Sequence, residues 1–112
     1  MIVQEPLSAR LARRLREARV QAGLTVREAA VLAGLSNHTL IVKYENGTVA
    51  PPIDRLHDLA RTYGTTPAAL LAKHDAAIPV IAAIDQADSA QLAHLAVALE
   101  NLPASEQGSG SE

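Results

Sequence analysis

The 112-residue chain has no cysteine, no phenylalanine and no tryptophan. Without cysteine, a disulfide scaffold and a Cys-ligated zinc site are both excluded. Aromatic residues amount to 2%, namely Tyr44 and Tyr63, so a core must be built from Leu, Val, Ile and Ala. Those residues suit small helices packed closely. No run of 18 or more apolar residues occurs, so no transmembrane helix and no membrane partner are expected. Met1 to Leu15 lacks the apolar stretch of a signal peptide and soon turns arginine-rich, which predicts a cytoplasmic chain. Lysine and arginine are missing altogether after residue 74.

That last absence makes the overall charge of −2 misleading. Residues 1–74 carry all ten Lys and Arg against six acids, a net of +4. Residues 75–112 carry six acids and no Lys or Arg, a net of −6. A basic part joined to an acidic part suits a polyanion-binding module with a separate appendage. The apolar content of 48% is too high for a wholly disordered chain.

Leu7, Leu11, Leu15, Ala18 and Ala22 recur at the spacing of one helical face and predict a helix over 7–22, stopped by Gly23. Arg10, Arg13, Arg14, Arg16 and Arg19 occupy much of its remainder. Thr25 and Glu28 are three apart, as a capping box requires, and open a second helix. Ala29, Ala30, Leu32 and Ala33 give that helix a small-residue face, and Gly34 ends it. Ser36 or Asn37 caps a third helix running to about Glu45, with Leu40, Ile41 and Tyr44 as its apolar positions. Asn46-Gly47 is a turn signal. Pro51 and Pro52 lead into a fourth helix with Ile53, Leu56, Leu59, Ala60 and Tyr63 on one face, closed by Gly64. Thr66-Pro67 starts a fifth with Leu70 and Leu71 inward.

Beyond His74 the composition changes. Residues 76–84 are apolar and rich in Ile. Asp88 or Ser89 caps a last helix over 89–102, where Leu92, Leu95, Leu99 and Leu102 are spaced three, four and three apart. That is a narrow, coiled-coil-like seam and a candidate oligomerisation surface. Folding of the same helix back onto the chain's own core is the competing arrangement. Ala104 to Glu112 is expected to be a disordered tail.

The short gap between the second and third helices is the main functional signal. A helix, a tight turn holding Gly34 and a second short helix make a helix-turn-helix. Ala30 is small enough for the two helices to cross closely. Leu35, with Leu40 or Ile41, supplies the apolar wedge that fixes their angle. The outer face of the third helix can then enter a major groove about 12 Å wide.

In this respect residues 11–71 resemble the XRE/Cro/cI family of bacterial and phage repressors. The resemblance rests on Leu15-Arg16-Glu17-Ala18-Arg19, Gly23-Leu24-Thr25, Ala29-Ala30-Val31-Leu32-Ala33-Gly34-Leu35-Ser36, Tyr44-Glu45-Asn46-Gly47, and Pro51 through Leu71. It implies a five-helix DNA-binding domain that works as a homodimer on a double-stranded operator with two half-sites. Two departures stand out. The chain has Val26 where the family commonly has a DNA-touching Gln, and its Gly34-to-Glu45 span is one residue longer.

With Ile41 as the wedge, the groove face comprises Asn37, His38, Thr39, Val42 and Lys43. With Leu40, it shifts by one residue. Asn37 can pair bidentately with adenine, the methyls of Thr39 and Val42 can meet thymine methyls, and Lys43 can reach guanine or phosphate. His38 can serve a base edge or a phosphate. Ser36 lies at the cap. Arg27 and Arg14 are candidate phosphate contacts, and Thr48 sits in the loop that in the family lies along the DNA backbone. Asn37 as a simple cap and Lys43 paired with nearby acids are the competing roles. Glu45 fits a structural ion pair better than a place beside phosphate. Tyr44 and Tyr63 belong to the core.

Catalytic chemistry has little to rest on. His38, His57, His74 and His94 show no metal-ligand spacing, and the side chains of adjacent His57 and Asp58 are expected to diverge. No phosphate-cradling loop or nucleophile elbow is present, so neither an enzyme nor a cofactor is expected. The expected architecture is all-α: a five-helix, lambda-repressor-like helix-turn-helix domain at 7–74, a helical oligomerisation segment at 75–103 with one extra C-terminal helix, and a tail at 104–112. The functional expectation is a sequence-specific transcriptional regulator, a dimeric repressor. Two other readings stand beside it. One is a protein-binding module, such as an antitoxin or antirepressor partner, whose acidic segment holds another protein. The other is a regulator whose acidic segment acts as a switch.

Overall fold

Leu7–Gln21 forms α1, and its buried positions are Leu11, Ala12, Arg14 and Leu15. The computed structural model describes residues 5–103. Residues 104–112, expected as a tail, lie outside the described residues. All regular structure among the described residues is helical: α2 Val26–Leu32, α3 Thr39–Glu45, α4 Ile53–Thr62, α5 Pro67–Leu70, a 3-10 turn Asp75–Ala77, α6 Ile78–Asp85 and α7 Ser89–Glu100. The segment after α5 therefore holds two further α-helices rather than one.

The capping signals of α2 act as expected. The Thr25 hydroxyl accepts from the Glu28 N–H at 3.1 Å, and the Glu28 carboxylate accepts from the Thr25 N–H at 2.8 Å. That second bond, together with the Thr25 hydroxyl, holds the Glu28 carboxyl below its ordinary range. Gly34 adopts φ +78°, a conformation that disfavours any side chain. This lets the Gly34 N–H donate to the Val31 carbonyl and the Leu35 N–H donate to the Ala30 carbonyl, the two bonds of a Schellman stop. Leu35 is thereby turned inward, where it is buried.

The core joins Leu11 and Leu15 of α1 to Ala29, Ala30 and Ala33 of α2, then Leu35, then Ile41 and Tyr44 of α3. Leu56, Leu59, Ala60, Tyr63 and Leu70 close it from below. The alanines of α2 allow α3 and α4 to approach its backbone closely. Burial pushes the Tyr63 phenol up to about 12, with the nearby Glu45 carboxylate acting in the same direction.

Five inward assignments fail. Leu32 is exposed because the core-facing side of α2 is taken by Val26, Ala29, Ala30 and Ala33. Ile53 is 81% exposed, since the first residue of α4 precedes the turn that meets the core. Leu71 points out while Ala69 and Ala72 point in, because α5 is a single turn. Leu7 and Ala22 at the ends of α1 are also exposed. Leu102 falls just outside α7, which stops at Glu100.

Candidate nucleic-acid interface

Ile41, 1% exposed, is the wedge, with Leu40 only half-buried against the same core. Of the two registers open to the sequence, the structure adopts the one that turns Thr39, Val42 and Lys43 outward. The α3 helix begins at Thr39, after a connection over 33–38. No other part of the described chain covers the outer face of α3.

The connection is ordered by its own side chain. The Asn37 carbonyl oxygen Oδ1 accepts from the Thr39 N–H at 2.8 Å in an Asx-type turn leading into α3, whose N-cap is His38, with no side-chain cap bond, rather than Ser36 or Asn37. Its amide NH2 makes no hydrogen bond among the described residues, and Asn37 as a residue is exposed. Ser36 and Asn37 are exposed, and His38 is half-buried. Beyond the other end of α3, Asn46 Oδ1 accepts from both the Thr48 N–H, at 2.9 Å, and the Thr48 hydroxyl. Thr48 is thus held at the surface, one short loop from the end of α3.

Five of the ten Lys and Arg bear on this interface. Arg13, Arg14 and Arg19 are spent on structure. Arg13 pairs with Glu5 at 2.9 Å, Glu17 at 3.2 Å and Asp75 at 3.4 Å. Arg27 and Lys43, both exposed, have no ion-pair partner among the described residues. Lys43 is therefore not tied to a nearby acid. Arg27 on α2 and Lys43 on α3 are the two cations of the helix-turn-helix, and both are exposed.

Arg14 is not a phosphate contact. It is 2% exposed. Its guanidinium donates to the backbone carbonyls of Leu70, at 3.2 Å, and Ala72, and to Asp75 Oδ1 at 2.8 Å. It closes the C-terminal end of α5 and ties the 3-10 turn to α1. Its spacing of three from Leu11 and four from Ala18 puts it on the apolar face of α1, a signal visible in the sequence.

Glu45 makes the structural pair expected of it, and its partner is Arg19. Arg19 Nε and Nη2 donate to the carboxylate at 2.7 and 3.0 Å, and Nη1 donates to the Leu24 carbonyl at 2.9 Å. The two side chains are 12% and 9% exposed. The bonds to Glu45 push the Arg19 guanidinium further above its already high range. Val26, which stands where the resemblance leads one to look for a DNA-touching Gln, instead leans half-buried on the core.

The remaining sequence candidates are scattered. His57 Nδ1 and Asp58 Oδ1 do not diverge but come to 3.7 Å on the surface of α4, and Arg61 meets the same Asp58 oxygen at 3.5 Å. Among the described residues no three His, Cys, Asp or Glu side chains gather as a metal site. No helix there is long and apolar enough to cross a membrane. Leu92, Leu99 and Leu102 are exposed and Leu95 is half-buried, so α7 has not folded back onto the core.

Comparison with known families agrees with this geometry. A family model described as a helix-turn-helix domain matches residues 10–72, from within α1 to just past α5. A search of the curated proteins found no match. With more than half its length matched in helix order, the chain belongs to the XRE-like family of helix-turn-helix domains, the DNA-binding kind.

Proposed function

We infer that the protein is a sequence-specific transcriptional regulator, a repressor that lays α3 into the major groove and occludes a promoter. The observation that carries this reading is the register of α3. Ile41 is inside, and Thr39, Val42 and Lys43 stand outside on a helix whose outer face no other described residue covers. Asn37, His38, Thr39, Val42 and Lys43 form the reading face. The apolar methyls of Thr39 and Val42 suit thymine, and Lys43 suits guanine or a phosphate. Arg27, Ser36 and Thr48 flank that face and are assigned to the DNA backbone.

The division of charge supports the same reading. Domain 7–74 holds every cation, and segment 75–103 holds none. Phosphate attraction then orients the basic domain toward DNA and keeps the acidic segment away from it. Two copies on an inverted repeat would place their reading helices about 34 Å apart.

The test is an electrophoretic shift series of the full chain against the region upstream of its own gene, at several salt concentrations. A discrete complex that weakens steeply with salt is the expected result. Asn37→Ala and Lys43→Ala should weaken it while circular dichroism stays unchanged. Unaltered binding by both variants would remove α3 as the reader.

A further inference from the structure

Neither α6 nor α7 has a buried residue. The α6 helix rests on α5 and the 3-10 turn, whereas α7 packs substantially against no other helix. Yet α7 is well specified at its start. The Asp88 carboxylate accepts from the Gln91 N–H at 2.8 Å, and Gln91 Oε1 accepts from the Asp88 N–H at 2.9 Å. An open, mainly apolar groove runs between the two helices, lined by Val80, Ala83 and Ile84 of α6, by Ala87, and by Leu95 of α7. Leu92 and Leu99 stand exposed one turn to either side of Leu95. Contiguous exposed apolar surface of this kind marks an interaction site.

The charges around that surface are one-sided. The chain has no Lys or Arg after residue 74. Among the described residues three helices end in an acid: α3 in Glu45, α6 in Asp85 and α7 in Glu100. A carboxylate in that place opposes the helix dipole. Glu45 is answered by Arg19, and Asp75 by Arg13 and Arg14. Asp85, Asp88 and Glu100 meet no cation among the described residues. The last turns of α6 and α7 hold no basic residue. In the chain Asp85 adjoins Ile84 and Asp88 adjoins Ala87, so two of the unanswered acids border the apolar groove.

We propose that α6 and α7 are the docking surface for a basic protein partner, which lays an apolar helix flanked by Lys or Arg along the groove. Val80, Ile84 and Leu95 take the partner's apolar face, in the manner of a helix in a groove. Asp85 and Asp88, with Glu100 at the far end of α7, take its cations, and supply the opposite charge that two helix ends otherwise lack. This names the class of partner for the reading in which the acidic segment holds another protein. It does not depend on α3 reading DNA.

Charge selects this occupant over a second copy of the chain. Asp88 continues the three-and-four spacing of Leu92, Leu95 and Leu99. Two copies laid along that stripe would bring carboxylate to carboxylate if parallel, and carboxylate to leucine if antiparallel. Nucleic acid and anionic lipid are repelled by the same carboxylates.

The experiment titrates the full chain into a dye-labelled amphipathic peptide of leucine and lysine and follows its anisotropy. Micromolar binding that weakens with salt is expected. A scrambled peptide of the same composition should bind at least about tenfold more weakly, because it presents no continuous apolar face. Asp85→Asn combined with Glu100→Gln should weaken binding roughly tenfold and flatten the salt dependence. Leu95→Ala should also cost roughly tenfold. Val97→Ala, two residues on and so turned away from that face of α7, should change nothing. Circular dichroism and an unchanged unfolding midpoint would show that the variants are folded. The proposal is overturned if the wild type does not bind, or if the scrambled peptide binds as tightly. It is also overturned if the amide changes or Leu95→Ala have no effect, or if Val97→Ala loses as much as Leu95→Ala. A wild-type dimer in sedimentation equilibrium that Leu95→Ala dissociates would give the face to a second copy and overturn it too. Asn37→Ala and Lys43→Ala should bind the peptide like wild type, so a failure of DNA reading and a failure of partner docking give different results.

Discussion

Arg19 of α1 grips Glu45, the last residue of α3, through two hydrogen bonds of 2.7 and 3.0 Å. A carboxylate at a helix C-terminus opposes the helix dipole, so Glu45 needs this cation. The same guanidinium donates to the Leu24 carbonyl, just before the capping residue of α2. One side chain thus links α1, the start of α2 and the end of α3.

Glu45→Gln should therefore lower stability by about 3 kcal/mol, because it leaves Arg19 nearly buried without its counter-charge. Arg19→Met combined with Glu45→Gln should recover part of that loss. Chemical denaturation of the three variants as a double-mutant cycle checks both statements. Additive losses would contradict the coupling.

Arg14 offers a second, pH-sensitive prediction. Arg14→Ala removes the donor to two carbonyls at the end of α5 and opens a cavity, and should cost about 3 kcal/mol by denaturation. Its hydrogen bond to Asp75, helped by Arg13, holds the Asp75 carboxyl below its ordinary range. A depressed folded-state pKa contributes stability above the ordinary carboxylate range and loses it as pH falls through the lowered value. Asp75→Asn should accordingly melt earlier than wild type at neutral pH, and the gap should close in acid. A gap that persists in strong acid would contradict the pair's role.

The crossing of α2 and α3 sets a third. Ala30 is buried where the two helices meet, and its carbonyl also accepts the Leu35 N–H at 2.8 Å. Ala30→Leu should force the helices apart and destabilise the domain by about 1–3 kcal/mol. Thermal unfolding measures it, and a variant as stable as wild type would show the crossing to be looser than described.

Lys43 supplies the fourth. If it meets a phosphate, Lys43→Ala should weaken binding evenly across sequences and reduce the salt slope by about one. If it meets guanine, the loss should be about 1–3 kcal/mol and confined to one base position. Anisotropy titrations at several salt concentrations separate the two, and neither effect would exclude Lys43 from the interface.

The sequence is most legible where local chemistry decides. The Thr25–Glu28 box, the Gly34 stop and the Thr66-Pro67 start all form as their residues dictate. It is less legible at element ends, where periodicity puts Ile53 and Leu71 on a face that the packing never covers. Arg14 was hidden by its type, since an arginine on an apolar face reads as solvated until two backbone carbonyls come within reach. The α3 register was open because Leu40 and Ile41 are adjacent and both apolar. The structure puts Ile41 in the core and leaves Leu40 half-buried against it. Asn37 illustrates the opposite case, in which a residue marked for two roles performs a structural one with its oxygen, in the turn ahead of α3, and leaves its amide without a hydrogen bond among the described residues.

The most direct trial is selection of the full chain against a pool of randomised duplexes, run in parallel with an Asn37→Ala, Thr39→Ala, Lys43→Ala triple variant. The account predicts an enriched inverted repeat for the wild type, with half-sites spaced by about one helical turn or a multiple of it, and its loss in the folded variant. No enriched sequence for the wild type, or the same sequence enriched by both proteins, would contradict it.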